Sequence, residues 1–222
     1  MTKVIVANDL GGLGKVALTS SLPIMSACQT EVLPLPTVLL SSHTGDFNNI
    51  YVRDLTDDLK GFCKQWEHLD FKVDGLVSGY FKSEEELKLV GQLARDKEIP
   101  LFVDPIMADN GRLYQGFDRN YVEAMKDFCQ QADVIIPNLT EAALLTDTPY
   151  LEAGSYDKVT VEKLLRDLTK LGPRKVIVTG ISFETEKMGL AYFDKETNKT
   201  TYLMRKSYKS HFYGSGKDEK KK

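Results

Sequence analysis

The sequence predicts an α/β protein built on a mostly parallel sheet with helices on both faces. Three observations predict it. Short apolar runs at residues 3–7, 73–78, 99–103, 133–137 and 175–179 alternate with stretches of helical period. Those runs are nearly continuous, as strands covered on both faces are. Polar and glycine residues follow several of them, at the strand ends where open α/β sheets bind ligands.

In chain order, residues 3–7 (KVIVA) form a first strand and residues 8–12 (NDLGG) a loop at its end. Residues 14–28 carry a helical pattern that Pro23 kinks or divides. Residues 31–40 (EVLPLPTVLL) are extended, with Pro34 and Pro36 pushing the first half to a sheet edge or out of the ladder. A polar loop, 41–47, precedes a helix at 55–69 and a strand at 73–78. Ser83 caps the next helix, whose first turn holds Glu84, Glu85 and Glu86, where carboxylates suit the helix dipole. The strand ending at Val103 is closed by Asp104-Pro105, and Asn110-Gly111 turns the chain beyond it. A helix at 120–131, a strand at 133–137 and a helix start at Asn138 follow. Residues 158–171 are amphipathic, 175–179 (KVIVT) are a strand, and 188–193 and 200–205 flank a hairpin turn.

The 222 residues, 42% hydrophobic, suffice for one sizeable core. With no repeat or linker visible, residues 1–216 are read as a single domain and 217–222 as a charged tail. A formal net charge of −3 gives no footprint for nucleic acid. No apolar run approaches the roughly 20 residues that span a membrane. MTKVIVAN lacks the pattern of a signal peptide. Cys28, Cys63 and Cys129 are odd in number and widely spaced, which reads as buried free thiols of a reducing cytoplasm.

Four constellations carry chemistry. Gly12 to Ala17 fits GxGxxA, but the second strand ends in Leu-Leu-Ser-Ser rather than in an acid that would hold a ribose. What remains is a loop with Asn8 and Asp9 as polar handles, or a plain tight turn. Asp104, Asp109 and Tyr114 gather around the end of a central strand, a position that favours a site, although a single Asp-Pro also closes loops structurally. Asn138 and Glu141 read either as a capping box or as an amide and carboxylate at the same sheet edge, where crowded acids call for a cation such as Mg²⁺. Further on, Gly214-Ser215-Gly216 can present consecutive N–H groups as an anion nest.

The motifs NDLGG, LPTVLLSSHTG, VSGY, VDPIMAD, IIPNLTE, VTG and YGSG, in that order, resemble the pyridoxal kinases of the ribokinase-like superfamily. The resemblance covers residues 1–216. It implies a Rossmann-like α/β fold and ATP-dependent phosphorylation of the 5′-hydroxymethyl group of pyridoxal, pyridoxine or pyridoxamine. It also implies Mg²⁺, a monovalent cation such as K⁺, and a homodimer. By the same carry-over Asn8, His43, Thr44 and Tyr80 hold the vitamin ring, and Asp104, Asp109, Tyr114 and Thr179 contact the nucleotide. Asn138 and Glu141 organise Mg²⁺, while Gly214 and Gly216 form the anion hole. A hydroxymethylpyrimidine kinase is the near alternative, and a non-catalytic ligand- or partner-binding remnant is the alternative from another class. The chain departs from the family at Gly-x-Gly-Asp: Lys217 follows Gly216, so the catalytic base falls one residue late, at Asp218, and the family's C-terminal segment does not follow. The expectation from that departure is a poor kinase.

Overall fold

Ile5, Val6 and Ala7 are three successive residues, each essentially inaccessible to solvent. Successive strand residues face opposite sides of a sheet, so β1 (Thr2–Leu13) is covered on both. The computed structural model describes residues 1–43, 47, 49–152 and 154–207. The chain divides into two compact units, Met1–Asp104 and Pro105–Lys222.

In the first unit β1 lies between β2 (Thr30–Ser42) and β4 (Gly75–Ser78), parallel to both. Beside β4 runs β5 (Leu101–Val103), also parallel, and β3 (Val52–Asp54) closes the other edge antiparallel to β2. Three helices pack here: α1 (Ala17–Ala27), α2 (Thr56–Glu67) and α3 (Glu84–Asp96). Helix α1 rests on β1 and β2, and α2 on β2 and α3. The Ser83 hydroxyl accepts the N–H of Glu86 at 3.3 Å, the expected N-cap of α3.

Three expectations for this unit are corrected. Residues 8–12 are not a loop: β1 continues through them, with Leu10, Gly11 and Leu13 paired to Leu39, Leu40 and Ser42 after a register shift at Asn8. The glycines therefore lie in a ladder, and α1 begins only at Ala17. Pro23 does not divide α1, which runs through it. Pro34 and Pro36 stay in register with β1, and β3 pairs only with Val38 to Leu40. Prolines two residues apart orient their missing donors the same way, toward the side β3 leaves open, as an edge position allows. Cys63 and Cys129 are buried as expected, but Cys28 follows the end of α1 and is exposed.

The second unit begins with a minimal hairpin, β6 (Ala108–Asp109) and β7 (Arg112–Leu113), turned by Asn110 and Gly111 at φ +51° and +73°. Two positive φ values mark the primed turn that Asn-Gly favours. Helix α4 (Arg119–Gln130) buries Tyr121, Val122, Met125, Phe128 and Cys129, one stripe of helical period, and Asp118 caps it. Strand β8 (Val134–Ile135) runs parallel to β9 (Lys175–Glu184). Helices α5 (Leu139–Thr146) and α6 (Lys158–Thr169) pack on β9. Strands β10 (Lys187–Asp194) and β11 (Lys199–Lys206) continue antiparallel, the expected hairpin. Among the described residues no helix is long and apolar enough to cross a membrane.

Candidate functional site

In the first unit the site begins at Asn8. Its Oδ1 accepts two N–H groups, from Asp9 at 2.9 Å and from Tyr80 at 2.8 Å. The amide thus ties β1 to the turn that follows β4. Gly79 makes the approach possible, because a Cβ there would meet the Asn8 side chain at 2.3–2.5 Å. Beside this link Asp9 is 7% exposed, and burial pushes its carboxyl up to about 6. The Tyr80 phenol is raised as well, first by burial and then by the nearby charges of Asp9 and Glu86. His43 lies just past β2, its N–H donating to the Leu13 carbonyl at 3.1 Å and its ring edge-on to Phe47 at 4.9 Å. Asp104 follows β5, its N–H bonded to the Ser78 carbonyl at 3.1 Å, and burial pushes its carboxyl up to about 7. Thr44 lies outside the described residues.

In the second unit the Asn138–Glu141 pair forms a complete capping box. Asn138 Oδ1 accepts from the N–H groups of Thr140 and Glu141, and Glu141 Oε2 accepts from the Asn138 N–H at 2.9 Å. The box also reaches beyond its helix. Glu141 Oε1 accepts the Met107 N–H at 3.2 Å, Asn138 Nδ2 donates to the Ala108 carbonyl at 2.8 Å, and Thr140 Oγ1 accepts the Gly111 N–H at 2.9 Å. Three side chains of one helix start therefore fix the hairpin that carries Asp109. Tyr114 follows that hairpin and is 41% exposed. Thr179, in β9, bridges to Asn138 and donates its N–H to the Pro137 carbonyl at 2.9 Å. Gly214, Gly216 and Asp218 lie outside the described residues.

Mg²⁺ takes oxygen donors and keeps water and phosphate oxygens in its shell. Asp109, Asn138 and Glu141 carry oxygens of that kind, those of Asn138 and Glu141 already accepting backbone N–H groups, and among the described residues no three His, Cys, Asp or Glu side chains gather as a metal cage. That donor chemistry fits a cation that brings most of its shell with it.

Nothing in the sequence marks Thr37, Glu86 or Thr140, although each is a buried polar side chain that holds a turn in one of these regions. Thr37 stood inside an extended run and Glu86 among three consecutive acids. Nothing in the spacing separates an inward-facing polar residue from a solvated one.

The sequence model of the phosphomethylpyrimidine kinase family matches residues 52–217. The chain belongs to that family. Other comparisons agree. A crystal structure from Bacteroides thetaiotaomicron, provisionally named a phosphomethylpyrimidine kinase and holding pyridoxal, is 32% identical. It superposes with a TM-score of 0.89 over 97% of this chain and 76% of that one. The pyridoxal kinase of Lactobacillus plantarum is 34% identical, with a TM-score of 0.88 over 97% of this chain and 76% of its own. The Saccharomyces cerevisiae protein BUD17, provisionally named a pyridoxal kinase, is 32% identical over 124 residues. That alignment takes in 52% of this phosphomethylpyrimidine kinase family member and spans only 38% of the yeast relative's length. The α/β fold expected of a ribokinase-like chain is the fold these relatives share.

Proposed function

We propose that the chain transfers the γ-phosphoryl group of ATP to the 5′-hydroxymethyl group of pyridoxal, pyridoxine or pyridoxamine. The observation that carries this reading is the Asn8–Tyr80 link, which sets an aromatic wall, a buried acid and an amide side by side at one turn. A flat ring with polar substituents asks for that combination. In this reading Asn8, His43, Thr44 and Tyr80 hold the ring, and Asp104, Asp109, Tyr114 and Thr179 contact the nucleotide. Phosphoryl transfer needs positioning and charge neutralisation more than covalent help from the protein. Asp109, Asn138 and Glu141 are the residues that would hold Mg²⁺, which neutralises phosphate charge when bound. Glu141 also holds the Met107 N–H at the start of the hairpin that carries Asp109. A monovalent cation such as K⁺, a homodimer and a cytoplasmic setting complete the proposal. Gly214 and Gly216 take the anion hole and Asp218 the base, one residue late, so that transfer is slow.

Hydroxymethylpyrimidine is the second reading, favoured by the family's description and by the name of the Bacteroides relative. Calorimetric titration of the chain with pyridoxal, pyridoxine, pyridoxamine and hydroxymethylpyrimidine separates the two. Pyridoxal binds tightest if the ring assignment holds, and Tyr80→Ala weakens it by about 1–3 kcal/mol. Tightest binding of the pyrimidine favours the second reading.

A further inference from the structure

Thr37 is fully buried in β2, yet its hydroxyl is spent on a turn distant in sequence: Oγ1 donates to the Tyr80 carbonyl at 2.7 Å. The Tyr80 N–H is held by Asn8 Oδ1, and the Gly79 N–H by the Ala7 carbonyl, each at 2.8 Å. The Lys82 N–H donates to Glu86 Oε2 at 2.7 Å, and the Thr56 hydroxyl, 2.6 Å from Asp54 Oδ1, lies 3.2 Å from Glu86 Oε1. Glu86 is fully buried in α3, and among the described residues it has no ion-pair partner. Its carboxylate accepts from the backbone of Lys82, the residue just before the Ser83 cap. The Lys82 ammonium in turn reaches Asp54 at 3.6 Å.

Burying an unpaired carboxylate is costly, and a solvent-facing turn could take its hydrogen bonds from water. Here four backbone groups of the 79–82 turn are bonded inward instead. Of the two aromatic side chains on this turn Phe81 is fully buried, and Tyr80 keeps part of its surface open.

We propose that Thr37 and Glu86 are positioning residues for the ring pocket, fixing the 79–82 turn so that Tyr80 is presented in one orientation to the substrate. The inference rests on Tyr80 being a wall of that pocket. Neither residue touches the ring; both act through the backbone of the turn. A pocket wall set in advance saves the ordering that ligand binding would otherwise have to impose.

The test uses the full chain with Thr37→Val, which removes the hydroxyl at nearly constant volume, and Thr37→Ser, which keeps it. Hydrogen exchange is read at residues 79–83 without ligand. Thr37→Val speeds exchange there about tenfold while β4 changes less, and Thr37→Ser stays near wild type. In calorimetry Thr37→Val raises the pyridoxal Kd about tenfold and leaves the Mg·ATP Kd unchanged. Combined with Tyr80→Ala it adds little, because both changes remove the same wall. Unchanged exchange at 79–83, or full additivity with Tyr80→Ala, overturns the proposal. If wild type binds no pyridoxal, the ring-pocket reading falls, and the exchange result still decides whether Thr37 holds the turn. Should Thr37→Val fail to fold, Glu86→Gln is measured in the same way with the same expected pattern.

Discussion

Asn8 Oδ1 accepts the backbone N–H of Tyr80 at 2.8 Å, across 72 positions of sequence. This bond joins a residue of β1 to the turn after β4, and Gly79 leaves the room for it. A single methyl group added at Gly79 would push on the amide at well under contact distance. Gly79→Ala is therefore expected to lower stability by about 1–3 kcal/mol and to weaken pyridoxal binding. Chemical denaturation and calorimetry on the same sample check both. A variant as stable as wild type with unchanged affinity contradicts the clamp.

Asp9 gives a pH signature. Its carboxyl has a folded pKa near 6 against a usual 3.8, so the folded state binds the proton more tightly than the unfolded one. The favourable contribution is present in full below 3.8 and is lost as pH rises through about 6. At about 1.4 kcal/mol per pH unit, the window is worth at most about 3 kcal/mol. Asp9→Asn removes the titration. Its stability relative to wild type therefore rises between pH 3.5 and pH 7, by urea denaturation at each pH. A constant difference across that range contradicts the assignment.

Glu141 is 2% exposed, and its two oxygens accept the N–H groups of Asn138 and Met107. Glu141→Gln presents an amide NH₂ where one of those donors needs an acceptor. The expected loss is about 1–3 kcal/mol of stability. Because the hairpin with Asp109 hangs from the same contact, Mg·ATP affinity should fall more than pyridoxal affinity. Calorimetry with each ligand tests this. A loss of stability with both affinities intact leaves Glu141 a capping residue alone.

Much of the fold was legible because apolar runs and caps are local signals. The alternation of strand and helix, Ser83 as a cap, the Asn110-Gly111 turn and the 188–205 hairpin all follow from short stretches of sequence. The continuation of β1 through Asp9-Leu10-Gly11-Gly12 was not legible. Glycines lower strand propensity locally, and only pairing with Leu39 to Ser42, far along the chain, keeps them extended. Of the site, Asn138 and Glu141 could be read both ways, and the geometry displays the capping box directly. Thr37 and Glu86 gave no sign, since their partners lie on turns whose closeness only the fold creates.

The central claim is phosphoryl transfer to a B6 vitamer, and product formation tests it most directly. The chain is incubated with pyridoxal, Mg²⁺ and ATP, and pyridoxal 5′-phosphate and ADP are quantified by chromatography, with hydroxymethylpyrimidine in a parallel reaction. The account predicts pyridoxal 5′-phosphate and ADP in equal amounts, dependent on both ATP and Mg²⁺, and formed faster than the pyrimidine phosphate. Phosphorylation of the pyrimidine alone, or no phosphorylated product from either ring, would contradict it.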